Sequence, residues 1–331
     1  MSTPTLLAIL QKTTKWFEAK GIPNPRLDAE LLLAHVLKLE RMQIYLQFDR
    51  PMHDVDLAPL RPLIQRRGKR EPLQHIIGTT GFRHLELKCN SHALIPRPET
   101  ETLVDLGLDS LVAMCQTQEA AEGSAESKPL KIVDIGTGTG AIILSFMGEL
   151  AETLVKAKRL ESAKINHEFT GIDISLKALE LAQVNERLIN EAKNSISEQS
   201  DEANSYESQS IHWIQSDSFS AVDKSEKFDL IISNPPYIPQ ADIAGLEPEV
   251  RDFDPHLALL GGESGLEIPQ RIFLDAIAHV KSGSVLIFEL GTGQVDELES
   301  WILSEKFDMQ HTFDKFKDLN GLIRFAKISF S

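Results

Sequence analysis

The stretch KIVDIGTGTGAI, Lys131–Ile142, sets a short β-branched run directly before Gly136-Thr137-Gly138-Thr139-Gly140 and a helical pattern directly after it. Glycines at a strand-to-helix junction make a tight turn and let the backbone approach a ligand, which then lies beyond the carboxyl ends of the strands. Gly136, Gly138 and Ala141 also satisfy the dinucleotide pattern G-x-G-x-x-[GA]. Two features lean away from a pyrophosphate. Asp134 precedes the loop, where an acid opposes a phosphate and suits a cation. The acid ending the next strand, Asp173, lies 33 positions after Gly140, against ~20 in dinucleotide sites. The long linker through Lys156–Lys164 offers a second account of that offset.

Outward from the loop, short apolar runs alternate with helical patterns: LKIVDI (130–135), FTGID (169–173), IHWIQ (211–215), FDLIIS (228–233) and SVLIFEL (284–290). This alternation predicts an α/β fold with a largely parallel, doubly wound sheet. The tail, 307–330, offers a final antiparallel pair. Residues 1–80 read as a small helical domain, with Pro25 placed for a first helical turn. Residues 81–101 read as a hairpin and connector, and 102–331 as the main domain. The polar stretch 116–129 is expected to be a loop. Residues 190–210 hold six serines, five acids and one large aliphatic residue. That is too little apolar surface to order itself, so a flexible acidic loop with no catalytic part is expected.

The 331 residues suggest about two domains. No apolar run approaches the ~20 residues of a membrane helix, and the N-terminus resembles neither a signal nor a transit peptide. Cys89 and Cys115 lack metal-type spacing, so a reducing cytoplasm is expected, with no disulfide framework and no metal. Residues 1–90 carry 14 Lys/Arg against 9 Asp/Glu, and the remainder 20 against 40, a net of −20. An acidic body repels phosphate backbones, so no stable nucleic-acid binding is expected. The basic excess around Arg61–Arg70 reads either as a solvated helix face or as a docking patch.

The strand ends carry the candidate chemistry. Asp173 can accept two hydrogen bonds from a ribose diol, cap the following helix, or both. Asp217, in QSDSF, is placed to accept from an adenine amine or to cap a turn. FDLIISNPPYIPQ, Phe228–Gln240, ends an apolar run in Asn234-Pro235-Pro236-Tyr237. The two prolines give up backbone donors and bar further sheet pairing.

This ordered set resembles the class I S-adenosylmethionine-dependent methyltransferases, in which [DNS]-P-P-[YFW] marks enzymes that methylate a planar amino nitrogen. An amide nitrogen is a poor nucleophile because its lone pair is delocalised. Two acceptors aimed at its N–H groups, the Asn234 side-chain oxygen and the Pro235 carbonyl, favour a pyramidal nitrogen, with Tyr237 packed on the planar group. GFRHLEL…LIPRPETE, SNPPYI and LEPEVRDFDPHLALLGGESGL (246–266) narrow the match. They closely resemble the HemK/PrmC family of protein-(glutamine-N5) methyltransferases over nearly the whole chain.

The resemblance implies a Rossmann-like, mostly parallel seven-stranded sheet preceded by a helical substrate-docking domain. It implies S-adenosyl-L-methionine as cofactor, S-adenosyl-L-homocysteine as product, and the Gly-Gly-Gln glutamine of class I peptide chain release factors as substrate. The cofactor positions are then Gly136, Thr137, Gly138, Thr139, Gly140, Asp173, Asp217, Ser218, Phe219 and Asn234. The catalytic and substrate set is Asn234, Pro235, Pro236 and Tyr237. Relatives often carry Trp where this chain has Ser218, and Phe219 is expected to supply the adenine contact instead. Arg97 and Glu99 resemble a segment at the cofactor mouth or brace the connector. A cytoplasmic monomer is expected. The competing readings are an adenine-N6 nucleic-acid methyltransferase, a non-catalytic scaffold of the same fold, and an NAD-dependent oxidoreductase.

Overall fold

The computed structural model describes residues 3–122, 128–159, 165–197, 210–305, 307 and 309–331. The chain forms two compact units, Met1–Thr79 with Leu246–Asp254, and Thr80–Gly245 with Pro255–Ser331.

The first unit holds α1 (Leu6–Ala19), α2 (Pro25–Leu37), α3 (Arg41–Tyr45), α4 (Asp54–Gly68) and α5 (Leu73–Ile77). Its core is built from residues at helical spacing, including Leu6, Leu10, Phe17, Leu33 and Leu60. Pro25 opens α2 at the first turn, where its missing N–H leaves nothing unpaired. The short helix α9 (Pro248–Arg251) also belongs to this unit, and here the basic run gains a structural role. Arg67 is buried against Asp28 at 2.6 Å and Glu249 at 2.9 Å. Arg70 pairs with Glu249 and with Glu247 at 2.8 Å, and Arg66 with Glu71. Arg66, Arg67 and Arg70 thus each make ion pairs within this unit, a structural role beside either reading of the basic run.

The second unit begins with the hairpin β1 (Thr79–Phe82) and β2 (Leu85–Lys88), then α6 (Thr100–Glu122). Helix, not loop, covers 116–122, a correction explained by the Ala-, Glu- and Gln-rich run QEAAE, which favours helix. The alternation continues through β3 (Lys131–Ile135), α7 (Ala141–Lys156), β4 (Glu168–Asp173), α8 (Leu176–Ser197), β5 (Ile211–Gln215) and β6 (Leu230–Ser233). It closes with β7 (Ile238–Pro239), β8 (Leu260–Gly262), α10 (Glu267–Ile277), β9 (Val285–Glu289), α11 (Gln294–Ser304), β10 (His311–Lys317) and β11 (Ile323–Phe330). Helix α8 also runs to Ser197, into the stretch expected as a flexible loop from 190; residues 198–209 of that expected loop lie outside the described residues.

Seven strands form one sheet in the order β10-β11-β9-β6-β3-β4-β5. β9, β6, β3, β4 and β5 are parallel, and β11 runs against both its neighbours. Alternate residues serve two cores. Ile132, Leu230, Ile232, Val285 and Ile287 face one layer with α6 and α7. Val133, Ile135, Ile231, Leu286 and Phe288 face the other with α10 and α11. Burial on both faces explains why these strands read as unbroken apolar runs. At ~1.5–3 kcal/mol per buried aliphatic side chain, they anchor the sheet whose carboxyl edge carries the polar groups.

Candidate active site

A cavity opens at the carboxyl edge of the central strands, between the β3–α7 loop and the residues following β6. Thr137, Gly138 and Thr139 form one wall. Gly140 caps α7 in the left-handed region at φ +82°. A Cβ there would meet Leu144 at 2.9 Å and Ala182 at 3.2 Å, so this glycine is needed for close helix packing as well as for the turn. The loop is held from outside by Asn185 of α8. Its amide donates to the Thr139 carbonyl at 2.9 Å, and its oxygen accepts from the Lys88 N–H at 2.7 Å.

Asp134 lies fully buried beneath the loop. Its Oδ2 accepts from the Thr137 hydroxyl at 2.6 Å, while Oδ1 is buried without a hydrogen-bond partner. Burial pushes this carboxyl up to about 7; the Thr137 bond offsets part of that rise, and the Asp173 charge adds to it. Asp134 does not itself line the cavity; it holds the loop from below through Thr137.

Asp173 ends β4 on the cavity wall. It accepts from the Gly138 N–H at 2.9 Å and from the Ser175 N–H at 2.8 Å. It therefore braces the glycine loop and holds Ser175, whose hydroxyl caps α8 by accepting from the Ala178 N–H at 3.3 Å. Burial raises its pKa, and backbone N–H bonds work against the rise.

Asp217 also lines the cavity but is held by Arg271 through two bonds of 3.1 and 2.6 Å. Ser218 beside it adopts φ +52°, and its hydroxyl is buried without a partner. Phe219 corrects the expectation. It points into the core at 4% exposure and stacks on His279 with centroids 4.4 Å apart. The apolar layer under α10 claims the ring, and the cavity wall is made by Ser218 and Asp217 instead.

The proline corner follows β6. The Ser233 hydroxyl donates to the Ile135 carbonyl at 2.7 Å and ties the corner's base to β3. Asn234 donates from Nδ2 to the Thr100 hydroxyl at 3.1 Å and lines the cavity with Pro235 and Pro236. Tyr237 differs from the expected stacking partner, since it is absent from the cavity lining. Its phenol oxygen accepts from Arg324 at 2.9 Å, with that guanidinium 5.4 Å from the ring centroid. Its carbonyl accepts from Gln294 at 2.8 Å. Burial raises the phenol's pKa, and the Glu289 charge adds to the rise. These contacts make Tyr237 a brace behind the corner.

The stretch LLGGESGL has a steric explanation. A Cβ on Gly261 would come within 2.7 Å of the Tyr237 Cα and 2.8 Å of the Pro236 carbonyl. Gly265 sits at φ +88°, and a Cβ there would collide with the Tyr237 carbonyl. The corner is thus packed backbone against backbone.

The structure brings together Gly136–Thr139, Asp173, Asp217, Ser218, Asn234, Pro235 and Pro236, and also places Arg97 at the cavity. Sequence reasoning missed Thr100, Asn185, Glu289, Gln294 and Arg324. One signal existed for Glu289, a lone acid ending the apolar run VLIF; no local pattern marked the others.

The family described as PrmC N-terminal domain matches residues 8–78, and that described as Eco57I restriction-modification methylase matches 155–254. The release factor glutamine methyltransferase of Chlorobaculum tepidum is 33% identical over 96% of this chain and 96% of that protein. That of Rhodopirellula baltica is 33% identical over 86% of this chain and 83% of that protein. The solved hMettl16 catalytic domain, in complex with a MAT2A 3'UTR hairpin, is 14% identical and covers 78% of this chain and 81% of its own. It superposes with a TM-score of 0.50 and shares the fold. The sheet order, the relatives' lengths and their identity agree: the fold is that of a class I methyltransferase, and the chain belongs to the release factor glutamine methyltransferase family.

Proposed function

We propose that this protein methylates the side-chain amide nitrogen (N5) of the glutamine in the Gly-Gly-Gln motif of class I peptide chain release factors, with S-adenosylmethionine as donor and S-adenosylhomocysteine as product. The observation that carries this reading is that Asn234, Pro235 and Pro236 of the Asn-Pro-Pro-Tyr corner line the same cavity as the glycine loop, in a chain 33% identical to a release factor glutamine methyltransferase over 96% of its length.

The cavity fits the cofactor. Asp173 and Asp217, on the cavity wall, offer carboxylates for a ribose and an adenine amine, and Asp134 holds Thr137 of the loop from below. Gly136–Gly140, Ser218 and Asn234 complete the proposed binding set. When bound, the cofactor supplies an electrophilic methyl, so the protein needs no strong base before transfer. Asn234 Oδ1 and the Pro235 carbonyl accept from the two amide N–H groups and pull the nitrogen out of conjugation. Pro236 fixes the direction of that carbonyl, and Tyr237 steadies the corner from behind. The product nitrogen loses its proton afterwards.

An adenine-N6 reading draws on the match of 155–254 to a restriction-modification methylase. The −20 balance of residues 91–331 weighs against it, since base flipping calls for a basic cleft. We place the protein in the cytoplasm as a monomer without stable nucleic-acid binding; among the described residues no helix is long and apolar enough to cross a membrane. Incubation with S-adenosylmethionine and an unmodified release factor, with duplex DNA in parallel, tests the assignment. Peptide mass spectrometry is expected to find one methyl on the Gly-Gly-Gln glutamine. Methyl on adenine and none on the release factor would reverse it.

A further inference from the structure

Glu289 is the least explained polar group of the sheet edge. It ends β9, is 1% exposed, and has one oxygen, Oε2, without a hydrogen-bond partner. Its surroundings follow from register. β6 and β9 are parallel neighbours with Ser233 beside Phe288, so Asn234 and Glu289 leave their strands side by side. β11 runs antiparallel on the other side with Phe325 opposite Glu289, which puts Arg324 next along that edge. Arg324 Nη2 stands 3.8 Å from Glu289 Oε1. The N-terminus of α6 supplies Thr100, and the side chains of Thr100 and Asn234 lie near enough to the Glu289 carboxyl to draw its pKa down.

The proton count is informative. A threonine hydroxyl has one proton and accepts elsewhere. The Thr100 oxygen accepts from Asn234 Nδ2 at 3.1 Å, so its own proton is free for a carboxylate. An ionised Glu289 has no proton to give and holds this chain of bonds in one direction. A flipped Asn234 amide would turn its oxygen toward the carboxylate and lose that arrangement. The direction matters because Asn234 Oδ1, not Nδ2, must face an incoming amide N–H.

We propose that Glu289 is a positioning residue of the corner: through Thr100 it fixes the orientation of the Asn234 amide and leaves Oδ1 facing the cavity. This rests on the methyl-acceptor reading of the corner given above. Glu289 touches neither methyl nor acceptor and acts only through Asn234. Burial pushes the Glu289 carboxyl up to about 7; the partners Thr100, Arg324 and Asn234 draw it down, and Glu99 from the connector before α6 pushes it up. Tyr237 is the remaining titratable group facing it. When Glu289 protonates, it can donate to Thr100, which can then donate to a flipped Asn234 oxygen, and the orientation is no longer selected. Gln in its place is expected to do the same at every pH.

The test uses the full-length protein, S-adenosylmethionine and an unmodified release factor. Glu289→Gln and Thr100→Val are each expected to lower kcat about 10- to 100-fold, the scale of a misplaced contact, with KM for S-adenosylmethionine changing much less. Thr100→Ser, which keeps the hydroxyl, is expected to retain most of kcat. The wild-type kcat is expected to fall as pH drops through about 7, and the Gln variant to lack that limb. Above pH 7 the Gln variant is expected to melt no lower than wild type, because a buried carboxylate is replaced by a neutral group. Wild-type kcat in Glu289→Gln, or an equal loss in Thr100→Ser and Thr100→Val, would overturn the proposal while leaving the methyltransferase reading intact. A Gln variant that melts lower than wild type above pH 7 would overturn it too, by making Glu289 a structural group. A wild type that transfers no methyl to the release factor removes the reading on which the proposal stands. Should Glu289→Gln not fold, the Thr100 pair alone decides.

Discussion

The glycine loop and the proline corner share one cavity but are built in opposite ways. The loop is local: one strand, five residues and one helix set Gly136–Gly140, and its main partner, Asp173, ends the adjacent strand. The corner is assembled from distant chain. Thr100, Asn234, Gly265, Glu289 and Arg324 come from five separate segments and meet only because the sheet order puts β11, β9 and β6 side by side. A local site tolerates sequence drift elsewhere. An assembled one fails when any contributing element shifts, and misplacement of about 1 Å can cost 100-fold in rate.

The comparison is broken most sharply at Asn234. Asn234→Ala removes an acceptor aimed at the reacting amide, and methyl transfer is expected to fall about 100- to 1,000-fold in kcat. Circular dichroism and the melting temperature should stay close to wild type, since Asn234 gives up only its Thr100 bond. Activity near wild type would remove the corner from the chemistry.

The second test addresses both sites through their buried acids. Asp134 and Glu289 titrate near 7 in the folded protein, against ordinary values near 4. The folded state therefore binds more protons than the unfolded chain between about pH 4 and pH 7. Stability from these groups is fully present below pH 4 and is lost as pH rises through 7. Each contributes up to about 1.4 kcal/mol per pH unit in that window. Denaturant melts from pH 5 to 8 should show the decline, and Glu289→Gln should flatten it.

On the loop side, Asp173→Ala is expected to weaken S-adenosylmethionine binding about 10- to 100-fold, the scale of a lost charge-assisted bond. Calorimetry is the readout, and kcat at saturation should change less. An unchanged dissociation constant would leave Asp173 with only its bracing bonds to Gly138 and Ser175. The smallest effect is expected from Gly265→Ala, at about 1–3 kcal/mol of stability from forced packing and a left-handed backbone. Because that Cβ would press on the Tyr237 carbonyl, activity should fall with it. Gly283→Ala, also at positive φ but with open space around it, is the control expected to keep full activity.

Phe219 shows where local reading ends. An aromatic beside Asp217 matches a stacking pattern in sequence, yet its direction depends on Phe228 and His279, 9 and 60 positions away. The basic run Arg66–Arg70 shows the same limit, since Glu247 and Glu249, its partners, lie about 180 residues on. The helical reach of α6 to Glu122 and of α8 to Ser197 was legible in principle from propensity, but polar composition outweighed it.

The succession of strands along the chain, the glycine turn, Asp173 at the end of its strand and the Asn-Pro-Pro-Tyr corner are all legible in the residues alone. These depend on backbone sterics and side-chain periodicity, which act over a few residues. Which polar groups face the corner, which aromatic is core, and why Gly261 and Gly265 must lack side chains emerge only once the chain is folded. Those outcomes depend on which strands become neighbours, and that is set by burying both faces of the sheet together, a property that no short stretch of chain contains.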